Sequence, residues 1–110
     1  MSMDASQFEA RAEDTLRRLQ VALDSSAADG VDAELAGGIL TIETDAGGVY
    51  QVNKHLPNRQ IWLASPVSGA WHFAWSDSRG AWLATRSGER LEDLIARELS
   101  QSLGKAIALG

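Results

Sequence analysis

The chain reads as an α+β domain, an α-β-sandwich in which two terminal helices pack on one face of a single antiparallel sheet of five to six strands. Three observations predict this. Apolar residues recur at spacings of three and four near both ends of the chain. Between them the period falls to two. The breaks in that middle region are only a few residues long and carry glycine or proline, too short for the crossover that a parallel return requires.

The first helix is expected over residues 4–24, where Phe8, Ala12, Leu16, Leu19 and Leu23 form one apolar stripe. Glu9, Glu13, Gln20 and Asp24 share an edge of the opposite face. The stretch SSAADG (25–30) ends the helix, with Gly30 as a turn residue. Short β-rich runs follow: DAEL, ILTIET, VYQVNKH, QIWLAS, AWHFAW and AWLAT. They are separated by AGG (36–38), DAGG (45–48), LPN (56–58), PVSG (66–69) and SDSRG (76–80), which makes a meander. The last helix is expected to start at Ser87 as N-cap, with Glu89, Glu92 and Asp93 in its first turns. Leu91, Leu94, Ile95, Leu99 and Leu103 would be its buried stripe, Gly104 its C-cap, and Ile107 and Leu109 would fold back over the core.

The 110 residues suit one domain, 1–110, large enough to bury roughly 60–70% of its unfolded surface. There is no cysteine, which removes disulfides, thiolate metal sites and thiol nucleophiles together. No apolar run approaches the ~20 residues of a membrane span. The N-terminus lacks an apolar signal region and carries Asp4, Glu9, Glu13 and Asp14, so a cytoplasmic protein is expected.

Charge is the most informative property. The net charge is −5, but residues 1–45 hold ten acids against three arginines, whereas residues 46–110 hold five acids against seven bases. No Lys or Arg occurs between Arg18 and Lys54. This distribution excludes a nucleic-acid footprint and favours cations or a basic protein partner. Two readings of the acids stand side by side. They form a solvated face, partly neutralised by Glu13–Arg17 and Asp14–Arg18 pairs at i, i+4, or they offer carboxylates to a hard cation.

The other chemistry-bearing residues are few. His55 and His72 could complete a two-His, one-carboxylate site only if two strands brought them together; both are expected to be ordinary strand residues. In QIWLAS, Ile61 and Leu63 share one face, and Gln60, Trp62 and Ala64 share the other. Trp62 is then either a hot spot exposed on the open sheet face or a ring packed on a neighbouring strand. Trp71, Phe73 and Trp75 alternate onto one face, Trp82 falls in the next strand, and most of these four are expected to be core. No catalytic or cofactor-binding motif is present: no Ser-His-acid set, phosphate loop or HExxH.

The segment NKHLPNRQIWLASPVSG (53–69) resembles the central strand-turn-strand region of frataxins, with their Asn-Lys pair, Pro-Asn turn, Gln-Ile-Trp-Leu strand and Ser-Pro-x-Ser-Gly loop. GGILTI (37–42), Trp82, RSGE (86–89) and LxxLIxxEL (91–99) lie where frataxin elements would lie, so the resemblance covers nearly the whole chain. It implies weak binding of ferrous and ferric iron by acidic residues of the first helix and the following strand edge: Glu9, Glu13, Asp24, Asp29, Asp32 and Glu34. It implies a cysteine desulfurase partner (IscS in bacteria), with the iron–sulfur scaffold protein nearby, and a partner surface at Asn53, Gln60 and Trp62. A monomer without iron is expected, acting by binding and regulation. The alternatives are a ferroxidase or a metal-free interaction domain. Where frataxins often end the first helix in dense acids, this chain has Gln20, Val21, Ala22, Leu23, Asp24 and Ser25. An iron site would therefore be weak, or moved towards Asp29, Asp32 and Glu34.

Overall fold

A computed structural model describes residues 3–26, 30–45, 47–104 and 106–109. The elements are α1 (Ala5–Ser26), β1 (Val31–Ala36), β2 (Ile39–Thr44), β3 (Val49–His55), β4 (Gln60–Ser65), β5 (Gly69–Ser76), β6 (Ala81–Ala84) and α2 (Leu91–Leu103). The six strands form one sheet in sequence order, every neighbouring pair antiparallel. Register carries apolar residues side by side across the sheet: Leu40 opposite Val52, Val52 opposite Leu63, and Ile61 opposite Phe73. Side chains at paired positions share a face, so these rows make one continuous apolar surface. Both helices cover it, and the other face is left open.

α1 starts with a reciprocal pair that the apolar stripe alone does not reveal. The Gln7 amide donates to Asp4 Oδ1 at 2.8 Å, and the Asp4 amide donates to Gln7 Oε1 at 3.1 Å. Each side chain satisfies an amide at the open helix end. The expected stripe is buried throughout, from Phe8 to Leu23. Phe8 meets Trp82 edge-on at 6.0 Å, and Trp82 donates its Nε1–H to Thr15 Oγ1 at 2.9 Å, so this buried indole keeps its polar atom satisfied.

α2 begins later than Ser87. Its N-cap is Arg90, in extended conformation and without a side-chain cap bond. The reason is tertiary. The Gly88 amide returns to the Ala84 carbonyl, the Ala84 amide donates to the Glu89 carbonyl, and Arg90 bridges to Leu83, so residues 85–90 are held against β6. Ser87 Oγ accepts from the Glu89 amide instead. The C-terminus ends as expected on Gly104, at φ 69°, a left-handed conformation that costs glycine nothing. Beyond it Ile107 and Leu109 are buried.

The seam between α2 and the sheet is closed by a buried carboxylate. Glu98 is 2% exposed. Its Oε1 accepts from Tyr50 Oη at 3.0 Å and from Ser65 Oγ at 2.6 Å, and its Oε2 accepts from Ser68 Oγ at 2.5 Å. Ser65 Oγ in turn accepts the Val67 and Ser68 amides, and Ser68 Oγ accepts Trp71 Nε1–H. One helix side chain thus organises the whole β4–β5 turn. The β2–β3 turn presses on the same turn: a Cβ placed on Gly48 would lie 2.9 Å from Pro66 Cγ, so only glycine fits there.

Replacing Glu98 by Ala leaves the buried hydroxyls of Tyr50 and Ser65, and the exposed one of Ser68, without their acceptor and should lower unfolding free energy by about 3 kcal/mol, measured by urea denaturation. A loss below about 1 kcal/mol would show that the network contributes little. Burial first, and then the facing Glu98 carboxylate, push the Tyr50 phenol above its ordinary 10.0. On alkalinisation the unfolded chain therefore loses this proton before the folded one, and stability should decline as pH rises above 10. Urea midpoints between pH 8 and 11 should fall less steeply in Tyr50→Phe than in the wild type.

Candidate docking face and acidic flank

Five of the six acids expected to hold metal lie among the described residues, and they are divided among different surfaces. Glu9 and Glu13 lie one helical turn apart on α1 and close on Lys54, whose Nζ is 3.3 Å from Glu9 Oε2 and 3.2 Å from Glu13 Oε1. Lys54 pairs with Ile61, so it projects from β3 towards the helices. Burial works against its charge, but the bonds to Glu13 and Glu9 outweigh it and hold the ammonium above its ordinary range. The protein's own cation therefore occupies the position between these two carboxylates. Glu13 turns to Lys54 rather than to Arg17, while Asp14 and Arg18 do pair, at 3.0 Å.

Asp24 is exposed in the last turn of α1. Asp32 and Glu34 alternate with Ala33 and Leu35 on β1, which puts them on the open face, away from the helices. Asp32 lies directly opposite Glu43 of β2, two like charges in one cross-strand pair. Asp29 lies outside the described residues. The described carboxylates thus fall into separate patches, because α1 and β1 send them to opposite sides of the sheet. Among the described residues no group of three or more His, Asp or Glu side chains could hold a metal ion.

The three residues expected to meet a partner are brought together. Ile39, Asn53, Trp62 and His72 form one row across β2 to β5, and His55, Gln60, Ala74 and Leu83 form the next across β3 to β6. Trp62 stands on the open face, opposite Asn53, and its Nε1–H donates to Gln60 Oε1 at 2.8 Å. The Asn53 side-chain Nδ2–H donates to the Lys54 carbonyl at 3.1 Å. Both alternatives for this indole hold in part: it faces the open side, yet it is half-buried by rings from its neighbours.

Those rings are the two histidines, which sequence reasoning set aside. His55 stacks on Trp62 at 3.6 Å and 8°, and His72 stacks on it at 4.3 Å and 14°, one from each flanking strand. They are not ordinary strand residues, nor do they face each other as a ligand pair, because the indole lies between them. Alternation from Asn53 to His55 was a usable signal; the register that places His72 beside Trp62 was not visible in the sequence. Phe73 and Trp82 are core as expected. Trp71 and Trp75 are only half-buried and lie beneath guanidinium groups, Arg86 at 3.5 Å and Arg11 at 4.1 Å.

Comparison with known proteins agrees with this architecture. The chain matches the Frataxin-like domain family over residues 1–105. It is 36% identical to the iron-sulfur cluster assembly protein CyaY of Neisseria meningitidis serogroup B over 107 residues, 97% of this chain and 96% of that one. It is 40% identical to the mitochondrial frataxin of Arabidopsis thaliana over 81 residues, 74% of this chain but only 43% of that protein. Among solved structures, frataxin from Psychromonas ingrahamii superposes with a TM-score of 0.87 at 23% identity, covering 98% of this chain and 99% of that one. Trimeric frataxin from Saccharomyces cerevisiae, complexed with ferrous, superposes with a TM-score of 0.64 at 34% identity, covering 96% and 89%. With this sequence match along nearly its whole length, and with two helices on one face of a six-stranded antiparallel sheet, the chain belongs to the frataxin family.

Proposed function

We propose that this chain is an accessory and regulatory protein of iron–sulfur cluster assembly in the cytoplasm, working by binding rather than by catalysis. The observation that carries the reading is the open sheet face. An indole anchored by Gln60 stands there beside Asn53, and β1 and β2 add Asp32, Glu34 and Glu43. No open-face position of the described strands carries Lys or Arg. A large aromatic among amides, rimmed by uncompensated acid, fits a basic protein surface. The relatives named for iron–sulfur cluster assembly support a partner within that machinery, and we take it to be a cysteine desulfurase, IscS in bacteria, with the scaffold protein close by.

Iron enters as cargo. The solved yeast relative was complexed with ferrous. In this chain the available ligands are exposed carboxylates in separate patches, so uptake is weak and screened by salt, and the protein is a monomer until iron is supplied. At Glu9 and Glu13 iron has to compete with Lys54.

Trp62→Ala should weaken binding to the desulfurase at least tenfold in calorimetry while shifting the melting temperature by only a few degrees. A collapse of stability with unchanged affinity per folded molecule would assign Trp62 to packing. Reversing Asp32 and Glu34 to Lys should remove the salt-sensitive part of the same binding, and equal affinity of wild type and variant at low salt would refute the electrostatic contribution.

Lys54→Gln frees the two α1 carboxylates and should strengthen ferrous binding at Glu9 and Glu13 several-fold, read from their NMR shifts under anaerobic titration. Its cost in stability is about 1 kcal/mol, because the two carboxylates are solvent-exposed although Lys54 is largely covered. Unchanged shifts at both glutamates would exclude them as iron ligands.

A further inference from the structure

The titratable side chains of the open face divide by strand. Asp32, Glu34 and Glu43 lie on β1 and β2. His55 and His72 lie on β3 and β5, on either side of Trp62. The charged groups near the stack are turned elsewhere. Lys54 projects to the helix side and binds Glu9 and Glu13, and Arg59 donates to the Leu56 carbonyl at 2.8 Å. Arg86 covers Trp71, and Asp77 accepts from Trp75 Nε1 at 3.0 Å. Just past the end of β6, Thr85 donates its amide to the His72 carbonyl. The imidazoles therefore hold the only positive charge that the open face of the described strands can acquire.

Imidazole is the side chain whose charge changes between pH 5 and 8. A neutral imidazole stacked on indole interacts through dispersion and ring quadrupoles, whereas a charged one adds attraction to the π face. Two charged rings flanking one indole also repel each other. The surroundings of Trp62 thus differ between charge states even if no backbone moves. The electrostatics of the face change in the same step, because two cations would offset most of the charge of Asp32, Glu34 and Glu43.

We propose that the His55–Trp62–His72 stack is a pH-sensitive element of the docking face, whose protonation alters the setting of Trp62 and weakens attachment of a basic partner. The first half concerns this chain alone; the second rests on the docking role proposed above.

The Trp62 Nε1–H resonance reports the first half, with the indole resonances of Trp71, Trp75 and Trp82 as internal controls for the fold. In a titration from pH 5.5 to 8 the Trp62 signal should shift sigmoidally. The shift should shrink in His55→Gln and in His72→Gln and vanish in the double variant, the control indoles staying in place. A flat Trp62 signal, or one that titrates equally in the double variant, overturns the proposal. Binding to the desulfurase should then weaken roughly two- to tenfold from pH 7.5 to 6.0 in the wild type and not in the double variant, the range expected of one or two rim charges. Equal pH dependence in both proteins overturns the second half. Absence of binding at every pH refutes the docking role itself and leaves the resonance titration to decide the first half.

Discussion

The structure depends on a one-sided sheet. Five short connections force six strands into a single antiparallel meander, and strict alternation gives that meander one apolar face. Such a face is stable only when covered. The two terminal helices are the only other regular elements among the described residues, and both lie on it. Burying leucine-sized side chains at about 1.5–3 kcal/mol each outweighs any surface ion pair in the molecule. The location of the site follows: whatever the second face carries is left for solvent or for a partner.

The polar groups that remain inside serve the same arrangement. Glu98 would be costly in an apolar core, but three hydroxyls satisfy it, and it ties α2 to the β4–β5 turn. Trp82 and Thr15 make a similar link from β6 to α1. These bonds hold the strands that carry Trp62 from behind. In the docking role proposed for it, a residue on a braced sheet needs little reorganisation on binding, which favours affinity.

Charge is arranged more locally than a net value suggests. Lys54 closes the long base-free stretch, and rather than neutralising the acids of the open face it crosses to α1 and bridges Glu9 and Glu13. The helix edge that looked most like a ligand set is thereby compensated, and Asp32, Glu34 and Glu43 are left as the uncompensated acids beside the aromatic row. Within the frataxin family, this makes the chain's acidity as suited to partner attraction as to iron.

Taken alone, the sequence determined the elements and their order. Helical spacing from Phe8 to Leu23 and from Leu91 to Leu99, and alternation in QIWLAS, are local patterns, and local patterns dictate which face of an element is apolar. That sufficed to set Ile61 and Leu63 inward and Gln60 and Trp62 outward. What only tertiary structure decided depends on register and on contacts between distant residues. Asp32 falls opposite Glu43 and Trp62 between two histidines, while Lys54 goes to α1 instead of Arg17 going to Glu13. Arg90 instead of Ser87 begins the last helix because β6 holds the intervening turn. No residue spacing encodes such pairings, since each is settled by how far one strand slides along its neighbour and by what the covering helices then bring within reach.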